Sequence, residues 1–239
     1  MEVSERDGVP FVDLVPGGVV QLVESCGVRV VSSDDLVSRT CARWGERGLE
    51  THRRAAAVLA DVARETWERA MDAVRSGRPV DERTLADGVL RRLAEEGLEE
   101  VDTIVAVGPN SGLPHYAPPE EGSRAAASGD VFLIDLWGRV ADDPDAVFAD
   151  QTWMGVLGTE PPEGFSEAWR AVRDARDAVV ELLRDRAEAA EPVTGAEADL
   201  RAREVLEGRG FGAALLHRTG HGIDRALHGF GPNLDAVET

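Results

Sequence analysis

The chain has 239 residues and a formal net charge of −19, with 26 basic residues, all of them arginine, against 45 acidic ones. Its length allows one large domain with a substantial core or one domain with an appendage, and its acidic charge excludes nucleic acids and anionic membranes as expected partners, because both require a basic surface. It contains neither an apolar run long enough to span a membrane nor a signal-like N-terminus, so we expect a cytoplasmic protein.

The first 46 residues do not have the pattern of a complete unit. Residues 19–25 fit a short helix, and residues 28–31 alternate as in a short strand. The two cysteines, Cys26 and Cys41, lack the spacing of a zinc or redox site. We therefore expect both cysteines to be reduced rather than joined in a disulfide.

Two helices and a strand are predicted next. Apolar residues recur at intervals of three and four between residues 52 and 76, which is the period of an amphipathic helix, and Gly77 ends it. Asp81 is a good N-cap for a second helix that ends at Gly97. The β-branched run at residues 101–107, followed by turn residues, then predicts a buried strand.

Three candidate site residues follow this strand. His115 precedes the single tyrosine in a turn-rich segment, where most histidines are simply exposed. Residues 131–137 are apolar enough for a strand buried on both faces, and Asp135 within them is anomalous, because a lone buried carboxylate is costly unless it is paired, protonated or bound to a cation. Asp150 lies in the next predicted strand, residues 146–153.

Asp135 and Asp150 could face each other if their strands form an antiparallel hairpin. Bridging carboxylate oxygens suit hard divalent cations, so such a pair could hold two of them. The loop between the strands contains three further aspartates at positions 142, 143 and 145. We expect that cluster to be a solvated turn rather than a cation site.

The order helix, helix, strand is predicted again about 110 residues later. Ser166 can cap a long helix, and Thr194 with Glu197 forms a capping-box pattern for the helix that follows. Residues 211–217 are the corresponding predicted strand. The chain therefore shows two halves of similar predicted architecture.

Three of the five histidines lie within twelve residues near the end of the chain. The sequence there reads HRTGHG (residues 217–222), and His228 follows seven residues after His221. Glycines on both sides of His221 suit a strand that brings an imidazole close to a metal or a substrate. For any single histidine the alternative is a solvated side chain in a glycine-rich loop, and the local density of three argues against it.

The HRTGHG string followed by His228 resembles the signature of the M24 family, the metallopeptidases that include Xaa-Pro aminopeptidase, prolidase and methionine aminopeptidase. The Pro-His-Tyr context of His115 and the two strand carboxylates fall in the family's order, and the similarity, which covers roughly residues 50–239, is greatest to the Xaa-Pro peptidase branch. The resemblance implies an α+β pita-bread fold with pseudo-twofold halves, the second incomplete. It also implies that residues 47–239 form the catalytic domain and that residues 1–46 are the remnant of an N-terminal domain plus a linker.

The resemblance further implies a site with two divalent ions, Mn²⁺, Co²⁺, Fe²⁺ or Zn²⁺ with Mn²⁺ favoured, which activate a water molecule for attack on the first peptide bond. The residues it assigns are Asp135, Asp150 and His221 as metal ligands, His115 and His228 as catalytic hydrogen-bond donors, and His217 as a substrate-binding residue. The implied partners are a peptide substrate and a second copy of the chain in a homodimer.

Two glutamate ligands complete the family's site, and neither has a match here, since the context of Glu238 fits neither motif. The sequence thus looks clipped at both ends, and we expect these residues alone to be poorly active. One alternative is a non-catalytic pita-bread module that binds peptides or a protein, which the missing glutamates favour. A second is a creatinase-like hydrolase of small C–N compounds, which the motifs do not exclude.

Overall fold

The computed structural model describes residues 15–31 and 33–238. The chain divides into two compact units: the first comprises Met1–Arg43, Arg170–Gly222 and His228–Thr239, and the second comprises Trp44–Trp169 and Ile223–Leu227. In the described ranges, no helix is both long enough and apolar enough to cross a membrane. The expected domain boundary between residues 46 and 47 stays a prediction.

Six helices, three strands and two short 3₁₀ turns make up the regular structure of the described chain. In order they are α1 (Gly17–Ser25), α2 (Asp34–Thr40), α3 (Glu46–Ser76), α4 (Glu82–Glu95), β1 (Leu98–Val107), the turn Gly108–Gly112, β2 (Val131–Val140), β3 (Ala149–Val156), α5 (Phe165–Ala189), α6 (Gly195–Gly208) and the turn Gly212–Ala214.

The two long helices of the second unit form as predicted. Helix α3 begins six residues earlier than expected and ends where Gly77 adopts a left-handed conformation with φ of 65°, which glycine adopts without steric cost. The predicted N-cap of α4 is confirmed, because the Asp81 carboxylate accepts a hydrogen bond of 2.7 Å from the Thr84 backbone N–H. Apolar side chains of both helices pack into the main hydrophobic core, among them Leu59 and Leu85.

The sheet of the second unit is antiparallel throughout, in the order β1-β2-β3. Strand β2 alternates strictly: the side chains of Phe132, Ile134 and Leu136 are fully buried in the core, whereas Leu133 and Asp135 on the other face are half-buried. The prediction that this strand is buried on both faces is therefore wrong. An antiparallel sheet needs to cover only one face with helices, and that arrangement removes the apparent anomaly of Asp135.

The first unit confirms the predicted helices but not the predicted strands. Thr194 and Glu197 form the expected capping box at the start of α6. Helix α5 begins at Phe165, so Ser166 lies inside it and is not its cap. Small side chains such as Ala175 and Ala198 make the apolar contact in this unit.

Both short strands predicted in the first unit are absent from its described part. Residues 28–31 have no regular secondary structure, and residues 211–217 form a 3₁₀ turn followed by irregular chain. Neither segment has a neighbouring strand with which to form a ladder, and an extended segment without a partner is not stable. The two cysteines in this unit, Cys26 and Cys41, are free and exposed.

Close packing between β3 and α3 gives a direct test of this core. A Cβ atom at Gly155 would lie 2.6 Å from the Trp67 ring, and that ring packs on Phe132 with centroids 5.0 Å apart. We expect Gly155→Ala to lower the free energy of unfolding by about 1–3 kcal/mol, because the indole must move within a packed core. Urea unfolding followed by circular dichroism measures this change.

The matched control is Gly112→Ala, where an added Cβ would meet no atom within 4 Å. Its effect is expected to stay within about 0.5 kcal/mol, as for most surface substitutions. Equal stability of the two variants would contradict the packing described for Gly155.

Candidate functional site

The predicted carboxylate pair lies on adjacent antiparallel strands, as expected. Asp135 of β2 is in register with Thr152 of β3, and Asp150 is in register with Trp137. Because side chains alternate along a strand, both carboxylates lie on the same face and are diagonal neighbours. Such neighbours have Cα atoms about 7–8 Å apart, with Cβ atoms somewhat closer, so two carboxyl groups can approach one another across the strands.

Neighbouring hydroxyl groups fix the conformation of Asp135. The Thr152 hydroxyl donates a hydrogen bond of 2.7 Å to the Asp135 Oδ1 atom. On the other side, the Thr103 hydroxyl of β1 donates to the Asp135 carbonyl at 2.8 Å. The carboxylate is thus held by β3 and its backbone by β1, so its direction is set by the sheet.

The chemistry of this face fits a divalent ion, because two carboxyl groups supply the hard oxygen atoms that such ions prefer. Among the residues that the structure describes, no group of three or more histidine, cysteine, aspartate or glutamate side chains is arranged to hold a metal ion. The convergence of His221 with Asp135 and Asp150 therefore stays a prediction, and so do the roles of all three as ligands.

His115 lies in a turn that is anchored by a buried carboxylate. Glu82, at the start of α4, is fully buried and accepts hydrogen bonds from the Val107 N–H at 2.7 Å, the Asn110 amide at 3.0 Å and the Tyr116 hydroxyl at 2.7 Å. His115 itself is exposed and has a φ of 55°, a left-handed conformation that is uncommon for residues other than glycine. Anchors on both sides of His115 hold it in this conformation.

The sequence gives little sign of this role for Glu82. An acidic residue in the first turn of a helix ordinarily compensates the helix dipole from an exposed position. Its neighbour Asp81 is the N-cap and accounts for the local signal. Burial of Glu82 depends on residues 25 or more positions away, and no local pattern reports it.

The histidine-rich stretch is not a strand. Residues 217–222 form an irregular segment with one isolated antiparallel bridge, between Gly220 and Leu234. Gly222 is required by close packing, since an added Cβ would lie 2.7 Å from the Gly231 carbonyl oxygen. Gly222 therefore serves contact between backbone segments, where the sequence predicted room for an imidazole on a strand.

The structure brings two of the predicted histidines together. The rings of His221 and His228 lie edge to face, with centroids 4.4 Å apart. The His221 Nδ1 atom is 3.2 Å from the Gly222 carbonyl oxygen, and because a carbonyl can only accept, Nδ1 carries the proton. In the neutral ring Nε2 then carries the lone pair, and such a nitrogen is the one that binds metal ions.

His217 differs from His221 in its exposure. It is exposed, and its Nδ1 donates a hydrogen bond of 2.7 Å to the Arg218 carbonyl. Its own carbonyl accepts from Arg203 of α6 at 3.2 Å. The assignment of His217 to substrate binding stays a prediction.

A second buried carboxylate, Asp199 of α6, contacts the histidine motif. It is fully buried and accepts hydrogen bonds from the Thr219 N–H at 3.0 Å, the Thr219 hydroxyl at 2.7 Å and the Arg203 Nε at 2.5 Å. Burial by itself would raise the pKa of Asp199, but the hydrogen bonds from Arg203 and Thr219 outweigh it and leave the pKa lowered. Asp199 is therefore ionised at neutral pH.

The sequence gives no sign of Asp199, because the large apolar residues of α6, which are Leu200, Val205 and Leu206, predict a different buried face. In the structure Leu200 is largely exposed, and the buried residues of the helix are Gly195, Ala198, Asp199 and Ala202. An aspartate between two alanines at helical spacing gives no local sign of burial. Only its distant partner, Thr219, accounts for its position.

The chain belongs to metallopeptidase family M24, whose family model, described as "Metallopeptidase family M24", matches residues 50–238. Over 223 residues it is 26% identical to the protein named "Probable dipeptidase PepE" of Mycobacterium tuberculosis, a match that covers 93% of this chain and 53% of that protein. It is 32% identical over 150 residues to the Xaa-Pro dipeptidase of Pyrococcus furiosus, covering 62% of this chain and 39% of that one. The chain thus spans about half the length, or less, of these curated relatives.

A solved structure gives the same assignment of the fold. Dipeptidase PepE from Mycobacterium ulcerans matches with a TM-score of 0.70 and 25% identity, covering 94% of this chain and 56% of that chain. The predicted α+β pita-bread fold is confirmed by the family and by this likeness. Within this fold, residues 170–238 form helices and one isolated β-bridge, and they contain no regular strand.

Tyr116 provides a test of the Glu82 anchor. Burial, together with the hydrogen bond and negative charge of Glu82, raises the pKa of Tyr116 to about 12. It is the only tyrosine in the chain, so the ultraviolet absorbance of tyrosinate reports it alone. We expect a pKa of about 12 in the folded chain and about 10 in urea. Since the folded-state pKa is the higher one, this group's stabilisation is complete below pH of about 10 and is lost as pH rises towards 12.

In this titration Glu82→Gln is expected to bring the pKa of Tyr116 back towards 10, because it removes the negative charge. The control is Glu95→Gln on the same helix, an exposed residue paired with Arg92, and it should leave the titration unchanged. A pKa near 10 in the folded unmodified chain would contradict the buried Tyr116–Glu82 hydrogen bond.

Proposed function

We propose that this chain carries three of the ligands of a two-metal site. The site would belong to an aminopeptidase that removes the N-terminal residue from Xaa-Pro peptides. The observation that carries the proposal is the placement of Asp135 and Asp150 on one face of the β2–β3 pair, within the region that matches the family. A pair of carboxylates that is diagonal across two strands suits ions that lie about 3.5–4 Å apart.

The proposed ligands within the chain are Asp135, Asp150 and His221, with Mn²⁺ as the favoured ion. When bound, divalent ions would supply an activated water molecule as nucleophile and would polarise the scissile carbonyl. The protonated Nδ1 of His221 leaves its Nε2 as the ligand atom. Thr152 holds Asp135 through one carboxylate oxygen and so limits the directions in which the group can bind an ion.

The remaining histidines are proposed to act on the substrate. His228 contacts the ring of His221, so it is placed next to a proposed metal ligand and can donate a hydrogen bond to the oxyanion of the transition state. His115, on its anchored turn, is proposed as the second donor, and His217 as a residue that contacts the substrate. The Xaa-Pro preference rests on the names of relatives, and it requires a pocket that accepts a tertiary amide without an N–H group.

The three proposed ligands are fewer than the five that the family resemblance implies, because residues 1–239 contain no match to either glutamate motif. Three ligands shared between two ions leave most coordination positions to water. We therefore propose that these residues bind Mn²⁺ weakly, at most one ion per chain, and are poorly active. The cytoplasmic location and the homodimer stay predictions.

The missing glutamates also favour a second candidate, a non-catalytic module that binds peptides through the same fold. Retention of both carboxylates and of the ordered His221–His228 pair favours the metal-binding proposal over it. The two candidates differ in what a divalent ion does to the protein, since only the first requires one to bind between Asp135 and Asp150.

Calorimetric titration with Mn²⁺ separates these candidates. We expect weak binding with a stoichiometry of at most one, reduced at least about tenfold by Asp150→Asn or His221→Ala, because each removes one of three ligands. The control is Asp87→Asn, an exposed aspartate of α4 that pairs with Arg83, and it should bind as the unmodified chain does. A proline-release assay on an Xaa-Pro dipeptide should give little product.

Two results would contradict this account. Mn²⁺ binding that is unaffected by Asp150→Asn would remove the carboxylate pair from the ligand set. Rapid release of proline by the 239 residues, abolished by His221→Ala, would show that the three proposed ligands suffice and that the expectation of poor activity is wrong.

A further inference from the structure

Helix α6 holds the histidine motif by its backbone. Asp199 binds the N–H and the hydroxyl of Thr219, and Arg203, which pairs with Asp199, donates to the carbonyl of His217. The Asp199–Arg203 ion pair therefore binds the segment 217–222 at two residues, His217 and Thr219. These two residues flank Arg218, and Thr219 lies two residues before His221.

A second set of contacts fixes the other side of the same segment. The Thr219 and Gly220 N–H groups donate to the Leu234 carbonyl at 3.0 and 3.3 Å, and the Leu234 N–H donates back to Gly220 at 3.1 Å. The Gly229 N–H donates to the Gly222 carbonyl at 2.8 Å. The backbone on either side of His221 is thus tied, so the point from which the imidazole extends is fixed.

Burial of the Asp199 carboxylate couples helix α6 to the histidine motif. A fully buried carboxylate is costly unless its partners satisfy it, and here its hydrogen bonds come from Arg203 and Thr219. Since Thr219 belongs to the motif, the helix cannot keep Asp199 satisfied without keeping the motif in place. Such a coupling is what a residue that orients a metal ligand requires.

We propose that Asp199, together with Arg203, is a positioning residue that sets the orientation of His221 against His228, and through it the affinity of the chain for a divalent ion. The metal-binding part of this inference rests on the proposed function, whereas the orientation of the ring does not. Asp199 itself touches neither imidazole and acts through the Thr219 backbone and hydroxyl.

The test uses the full chain with Asp199→Asn and the milder Thr219→Val, which keeps the N–H and removes only the hydroxyl. Nuclear magnetic resonance measures contact between the His221 and His228 rings and the exchange rate of the amides in residues 217–222, without metal. The matched control is Asp174→Asn on α5, a carboxylate paired with Arg173 and Arg209 that lies outside these contacts.

We expect Asp199→Asn to abolish the contact between the two rings and to raise amide exchange across residues 217–222 by about tenfold or more relative to the control. Thr219→Val should show a smaller effect of the same kind, and it decides the matter if Asp199→Asn does not fold. Mn²⁺ affinity measured by calorimetry should fall by about 10- to 100-fold in Asp199→Asn, the range typical of residues that orient a metal ligand.

A double-substitution cycle shows whether the effect passes through His221. If it does, Asp199→Asn lowers Mn²⁺ affinity in the unmodified chain but not in the His221→Ala background. The inference is overturned if Asp199→Asn or Thr219→Val lowers the midpoint of urea unfolding while ring contact and amide exchange in the folded chain stay unchanged. Absence of Mn²⁺ binding by the unmodified chain would contradict the proposed function alone, because the metal-free measurements still decide the orientation.

Discussion

The two-residue period of strand β2 determines both the core and the candidate site of the second unit. Phe132, Ile134 and Leu136 close the hydrophobic core on one face, and Asp135 lies on the other. Pairing with β3 then places Asp150 on the same face as Asp135. A slip of the β2–β3 pairing by one residue would turn Asp150 away from the face that carries Asp135. Burial of the apolar side chains on the other face therefore enforces the register that the site needs.

Buried carboxylates on helices are the second means by which this chain places its histidines. In the second unit, Glu82 of α4 holds the turn around His115, and in the first unit Asp199 of α6 holds the motif around His221. In both cases the carboxylate binds backbone N–H and hydroxyl donors rather than the histidine. Irregular segments carry these histidines, and helices hold the segments through hydrogen bonds that burial makes costly to lose.

Local patterns in the sequence predicted the parts of the fold that have local causes. The period of α3, the Asp81 N-cap, the Thr194–Glu197 capping box and the β2–β3 pairing of the two aspartates all depend on residues close in sequence. The predictions that failed depend on distant partners. Residues 211–217 are apolar but have no neighbouring strand, and the burial of Glu82 and Asp199 is set by Tyr116 and Thr219, which lie 34 and 20 positions away.

Paramagnetic broadening by Mn²⁺ tests, residue by residue, whether Asp135 and Asp150 hold the metal ion. Amide resonances of an isotopically labelled chain are recorded while Mn²⁺ is added in substoichiometric amounts. If these two carboxylates hold the ion with His221, the signals of Asp135, Asp150 and His221 broaden first. Broadening centred on the acidic loop at residues 142–145, with β2 and β3 unaffected, would contradict it.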